Sequence, residues 1–242
     1  MRSALIVIDV TPEEYPAIIS DEGIYHIYDY QFFCRNLQKN AEARMTAYQN
    51  KQAIEHRDVS KDLLLVVDFQ NVYLPEYDWS CPTMPEAMKN TIRLLDAPNA
   101  PDYIMTKFLA PAEPVGRWQQ YNEAFRAINE NAFLAEFPKE LAPYAAKAPV
   151  VEKSTYSSMK AEQVLAALKG KEAVVLTGVT AECCVLATMM DAMDLGYEVV
   201  YLYDCIAGQS AELNAEIQGL AKIYTPVHTT VMSCDEYLAS IS

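Results

Sequence analysis

From Lys61 onward, short apolar runs alternate with segments whose apolar residues recur at three- and four-residue spacing. Residues 63–67, 103–106, 149–153, 173–177, 198–203 and 227–232 read as strands. Most are apolar at successive rather than alternate positions, which predicts burial on both faces. Residues 85–95, 117–128, 158–168, 185–195 and 210–222 read as helices, and a last turn falls at 235–238. Met88, Ile92 and Leu95 share a face of the first helix, Ser158 is placed to cap the third, and Gly170 and Gly196 are placed as helix stops. Strand and helix alternate six times, which predicts an α/β domain: a doubly wound, six-stranded parallel sheet with helices on both faces.

Residues 1–60 are less regular. A strand is expected over 4–10, Pro12 and Pro16 interrupt the stretch after it, and one or two helices are expected between Tyr28 and Ala53. This reads as an N-terminal extension, packed on the main domain of residues 61–242 or serving in oligomerisation. The apolar run near the start is five residues long, too short for a signal segment or a membrane span.

Charge and cysteine content narrow the picture. The 242-residue chain carries 33 acidic and 19 basic residues, a formal charge of −14, which argues against nucleic acid and anionic membranes as partners. Its six cysteines, Cys34, Cys81, Cys183, Cys184, Cys205 and Cys234, show no CxxC spacing. A reducing, cytoplasmic setting is expected. His26, His56 and His228 are scattered without a second ligand at metal spacing, so neither a metal nor another cofactor is expected.

Ligands of parallel sheets bind beyond the carboxyl ends of the strands. Three reactive residues stand at or just past those ends: Asp68, Lys153 and Cys184. Cys184 sits where a strand turns into a helix, where unpaired N–H groups favour a thiolate and can hold an oxyanion. Asp68 can take a proton and Lys153 can hold the anions. Together they suit acyl transfer from an amide through a thioester. Each also has an ordinary reading: Asp68 as a helix cap, Lys153 as a surface charge, Cys184 as a core thiol.

The chain resembles the isochorismatase-like cysteine hydrolases, a family that includes nicotinamidases and ureidoacrylate and biuret amidohydrolases. The matching stretches are Leu65-Val66-Val67-Asp68-Phe69-Gln70-Asn71, Glu152-Lys153-Ser154-Thr155-Tyr156-Ser157 and Gly178-Val179-Thr180-Ala181-Glu182-Cys183-Cys184-Val185-Leu186-Ala187-Thr188. The resemblance puts an Asp–Lys–Cys triad on Asp68, Lys153 and Cys184, and a cis peptide at Val179–Thr180. It puts the oxyanion donors on the backbone N–H groups of Thr180 and Cys184. It also implies a homo-oligomer, dimer or tetramer. Its register favours Cys184 over Cys183 as nucleophile.

Departures from the family sharpen the expectation. Nicotinamidases carry a histidine-containing metal site after the second strand, whereas Thr106-Lys107-Phe108-Leu109-Ala110-Pro111 has no histidine. Isochorismatases proper lack the cysteine. Glu182 and Ala181 stand where other residues are common, and Asp9 lies in a strand that imitates the Asp68 strand without its glutamine. The expected function is metal-independent hydrolysis of a small amide, carbamoyl or ureido compound. The alternatives are an inactive member used in assembly or binding, and an ether or ester hydrolase. Gln70, Tyr73, Trp79, Arg117, Trp118 and Tyr156 are candidate substrate contacts. Gln70 can equally support Asp68 or the pocket wall, and Arg117 can be a carboxylate fork or an exposed surface charge.

Overall fold

The computed structural model describes residues 56–241. The strand expected over 4–10, the helices expected between Tyr28 and Ala53, and Asp9 lie outside the described residues. Within them, six strands form one parallel sheet: β1 (Asp62–Val67), β2 (Asp102–Phe108), β3 (Val150–Lys153), β4 (Ala173–Val179), β5 (Glu198–Ala207) and β6 (Thr229–Met232). Their order is β3-β2-β1-β4-β5-β6. The chain therefore winds outward one way from β1 and the other way from β4. The crevice where the winding reverses lies beyond the carboxyl ends of these two neighbours.

β1 shows why the apolar runs have no alternation. Leu64 and Val66 join a core with Met84, Met88 and Leu94 of helix α1 (Met84–Leu95) and Tyr237 of the C-terminal helix (Cys234–Ser240). Leu63, Leu65 and Val67 join the opposite core with Val164, Met189, Ala192 and Ala221. All six β1 residues are buried. Each large apolar side chain so placed stabilises the fold by about 1.5–3 kcal/mol, an upper figure because unfolded chains are partly compact.

The remaining helices are α2 (Arg117–Ala124), α3 (Arg126–Asn129), α4 (Ala132–Ala135), α5 (Ala142–Ala145), α6 (Glu162–Ala167), α7 (Leu186–Asp194) and α8 (Ala211–Ile223), with Cys234–Ser240 as α9. The single helix expected over 117–128 is broken at Phe125, and two further short helices come after it. No residue of α2 to α5 is fully buried, so no core face imposes one long axis on them. Ser157, not Ser158, caps the next segment, accepting from the Met159 N–H, and a short 3₁₀ turn precedes α6. The Ser158 N–H instead donates to Thr188 Oγ1 at 2.9 Å. The final turn is a full helix, α9, started by a Ser233–Glu236 capping box. Strands β2, β4 and β5 run two to four residues past their expected ends, because polar residues at those ends interrupt the apolar run without ending the ladder.

One glycine decides whether β1 and β4 can lie side by side at the crevice. Gly178 pairs with Val67 and has φ +122°, outside the range an L side chain favours. A Cβ on it would stand 2.0 Å from the Val67 carbonyl oxygen. Gly178→Ala is expected to lower stability by about 3 kcal/mol or more, since backbone strain and a backbone clash add. Gly170→Ala, at φ +82° with open space around it, is expected to cost about 1 kcal/mol. Denaturant midpoints of the two variants measure the difference, and equal midpoints would contradict the steric account.

Candidate active site

The three reactive side chains meet in the crevice. Asp68 follows β1 in a left-handed turn, φ +50°, which an Asp tolerates better than most residues. Its N–H donates to the Thr106 carbonyl at 3.1 Å, and its carboxylate is fully buried. Thr106 Oγ1 donates to Oδ1 at 2.6 Å, and Lys153 Nζ lies 2.6 Å from Oδ2. The Oδ2 contact is a charge pair of poor hydrogen-bond angle rather than an aligned bond.

Lys153 ends the edge strand β3, opposite Phe108 of β2. Its ammonium donates to the carbonyls of Thr155 (3.0 Å) and Tyr156 (2.9 Å) and lies 5.5 Å from the Phe108 ring centre. Asp68 and the two carbonyls match the three donors a lysine has. Burial works against its charge, but Asp68 and then Cys184 outweigh it, and Lys153 is held above its ordinary pKa.

The Val179–Thr180 peptide is cis. Ala181–Val185 then forms one wide, π-type turn leading into α7. The Thr180 carbonyl accepts from Cys183 N–H (3.1 Å) and Val185 N–H (3.2 Å). In an α-helix that carbonyl would go to Cys184. The wide turn removes the Cys184 N–H from that bond, a device common at functional sites. Thr188 fastens the turn from below: its Oγ1 donates to the Cys184 carbonyl at 2.7 Å while accepting from Ser158 N–H.

Cys184 is 3% exposed, and Asp68 and Lys153 are the nearby charges that act most on its thiol. Cys183, one residue earlier, is exposed. Burial, and then the Asp68 carboxylate, push the Cys184 thiol well above its ordinary pKa, and Lys153 opposes this only in part. Burial and Asp68 thus act against the backbone N–H groups of the turn, which favour a thiolate.

Aromatic rings form the wall. Phe108, Trp118, Tyr121 and Tyr156 contact one another with ring centres 5.0–6.1 Å apart. Tyr73 is buried; burial first, and then the nearby Cys184 and Asp68, raise its pKa. Trp79 stands one layer back, against Tyr73, Tyr121 and Phe125. Gln70 braces this wall: its amide donates to the carbonyls of Phe108 and Ala135, both at 3.0 Å, and accepts from Phe108 N–H at 2.8 Å. Arg117 is exposed and donates to its own helix neighbour Gln120, so it does not join the cluster. Thr106, Phe108 and Tyr121 are functional neighbours that sequence reasoning misses. Tyr121 is findable, because it lies three residues from Trp118 and so shares its helix face.

No group of three or more His, Cys, Asp or Glu side chains among the described residues is placed to hold a metal. Lys107, near the end of β2, pairs with Glu136 at 2.6 Å. Among the described residues, no helix is long and apolar enough to cross a membrane.

Residues 62–231 match the model of the isochorismatase domain. The chain belongs to the isochorismatase-like hydrolase family. No curated protein matches it by sequence. Among solved structures it is similar to an isochorismatase-like hydrolase from Alkaliphilus metalliredigens, with TM-score 0.62 and 20% identity over 77% of this chain and 99% of the other. It is similar to a cysteine hydrolase from Pseudomonas syringae pv. phaseolicola, with TM-score 0.66 and 19% identity over 77% and 94%. It is also similar to a nicotinamidase from Bacillus subtilis, with TM-score 0.59 and 18% identity over 72% and 99%. At these identities the likeness concerns the fold.

The thiol's environment makes a signed prediction. In a Cys183→Ser background, Asp68→Asn removes the charge that raises the Cys184 pKa and leaves Lys153, which lowers it. The ionisation of Cys184 is expected to move to lower pH. The midpoint of pH-dependent alkylation by iodoacetamide reads the shift, and an unchanged or higher midpoint contradicts it.

Proposed function

We propose that the chain is a cysteine amidohydrolase that cleaves the C–N bond of a small amide, carbamoyl or ureido compound through a thioester. The observation that carries this reading is the contact of three strand ends. Lys153 Nζ lies 2.6 Å from the Asp68 carboxylate, and the buried Cys184 thiol feels the charge of both groups. The names of the Pseudomonas cysteine hydrolase and the Bacillus nicotinamidase agree with the reading.

The steps come from this arrangement. The Cys184 thiol passes its proton to Asp68 as the sulfur attacks the substrate carbonyl. Negative charge develops on the carbonyl oxygen, which the backbone N–H groups of Thr180 and Cys184 receive. Asp68 returns the proton to the leaving nitrogen, the C–N bond breaks, and the amine departs. Water, deprotonated by Asp68, then cleaves the thioester and restores the thiol. Lys153 holds the carboxylate in place and offsets its charge. Carbonyl polarisation by the two N–H groups needs no metal. Tyr73, Trp118, Tyr121 and Tyr156 border the acyl group and keep water away from it.

Ammonia or amine release from a panel of small amides, carbamoyl and ureido compounds tests the reading. Cys184→Ser is expected to lower turnover by about a thousandfold or more, as loss of a nucleophile does. Cys183→Ser is expected to stay within about threefold of the parent, an ordinary surface effect. The reverse pattern would move the nucleophile to Cys183. Turnover only of ethers or esters would retain the scaffold and refute the amidase.

A further inference from the structure

Glu182 takes no part in the steps proposed above, yet it is tied to the same turn as Cys184. It is the second residue of the Ala181–Val185 turn. Its Oε1 accepts from the Gln209 N–H at 3.2 Å, across to the loop between β5 and α8. Its Oε2 is buried and makes no hydrogen bond among the described residues. Gly208 leaves the room this carboxylate occupies: a Cβ there would stand 2.7 Å from Oε2 and 3.3 Å from the Ala181 Cβ. Gly208 does not have a left-handed φ, so its missing side chain serves space rather than backbone conformation. The turn thus has two side-chain anchors. Thr188 ties it to Ser158, and Glu182 ties it to Gln209.

We infer that Glu182 is a positioning residue that clasps the nucleophile turn to the β5–α8 loop, keeping the Cys184 thiol and its N–H in register for attack. The inference rests on Cys184 being the nucleophile. Loss of the clasp leaves the chemistry's atoms in place and loosens the turn that aims them, and a small misplacement of a reacting group is costly in rate. A neutral acceptor in the same place, as in Glu182→Gln, keeps the bond to Gln209.

Benzaldehyde serves as the probe, because its ring suits the aromatic wall and it has no leaving group. The Cys184 sulfur forms a bond to the aldehyde carbon, the C=O π bond breaks, and the thiol proton passes by way of Asp68 to the new alkoxide. Calorimetric titration of the full chain measures the adduct, with Cys184→Ala as the control that abolishes it. Glu182→Ala is expected to weaken binding about tenfold or more and Glu182→Gln less than about threefold, with thermal midpoints of the two variants alike. Gly208→Ala, which pushes the carboxylate away, is expected to weaken binding as well. In the Glu182→Ala background it should add less than it costs in the parent, since the closest group it displaces is gone and only the 3.3 Å contact with Ala181 remains. Parent-like binding by Glu182→Ala, a Gln variant as weak as Ala, or additive losses would overturn the inference while leaving the amidase reading standing. No Cys184-dependent adduct in the parent would overturn both. If Glu182→Ala does not fold, the Gly208→Ala and Glu182→Gln pair decides by the same criteria.

Discussion

The site depends on one buried charge pair. Asp68 and Lys153 lie 2.6 Å apart, 0% and 5% exposed, and come from strands separated by β2. Taking two charges out of water costs several kcal/mol each, and their attraction repays this only when the remaining donors and acceptors are also satisfied. Most are: Thr106 donates to Oδ1 and two carbonyls accept from the ammonium, while Oδ2 has the charge of Lys153. A pair built this way adds little net stability, and removing one member leaves a buried charge alone at a cost of about 3–5 kcal/mol. What it provides is position. The ammonium fixes the carboxylate, and the carboxylate faces the thiol.

Backbone geometry brings the thiol to that pair. β1 and β4 are neighbours in the sheet but belong to opposite windings, so their carboxyl ends open onto one crevice. Gly178 lets the backbones approach where a side chain would collide with Val67. Asp68 turns off β1 in a left-handed conformation, and the wide turn after β4 withholds the Cys184 N–H from the helix ladder. These three unusual backbone features all fall at the adjoining ends of β1 and β4. Such clustering is where local rules give way to function.

Much of this is legible from residue order. Parallel strands announce themselves as apolar runs, and each run that ends in a reactive residue marks the same edge of the sheet, so Asp68, Lys153 and Cys184 can be grouped before any coordinates. Thr106 cannot. A threonine inside a largely apolar strand reads as strand, and only the register that sets β2 beside β1 turns its hydroxyl into a carboxylate partner. Gln70 is half legible: its place after Asp68 suggests support, but its bonds reach Phe108 and Ala135, far along the chain. The short helices of 117–145 are blurred because they bury no continuous face. The ionisation of Cys184 escapes sequence reasoning because a helix start predicts a thiolate only where water or cations dominate. This sulfur is enclosed and faces a carboxylate.

That enclosure bears on how catalysis proceeds. A thiol with a raised pKa is a poor resting nucleophile, and each unit of elevation adds about 1.4 kcal/mol to making the thiolate. In the proposed reaction the same burial that raises it also favours the oxyanion, because N–H donors act most strongly where water does not screen them. The proton has a short path, since the thiol already faces Asp68. Charge separation is then needed only when a carbonyl is present to receive the electrons. Burial and Asp68 both oppose ionisation of this thiol, which lowers its exposure to oxidation and stray alkylation, because the thiolate is the reactive form. In the proposed reaction the enclosure and the carboxylate thus act in one direction: both oppose ionisation of the sulfur until a substrate carbonyl supplies the acceptor that makes it favourable.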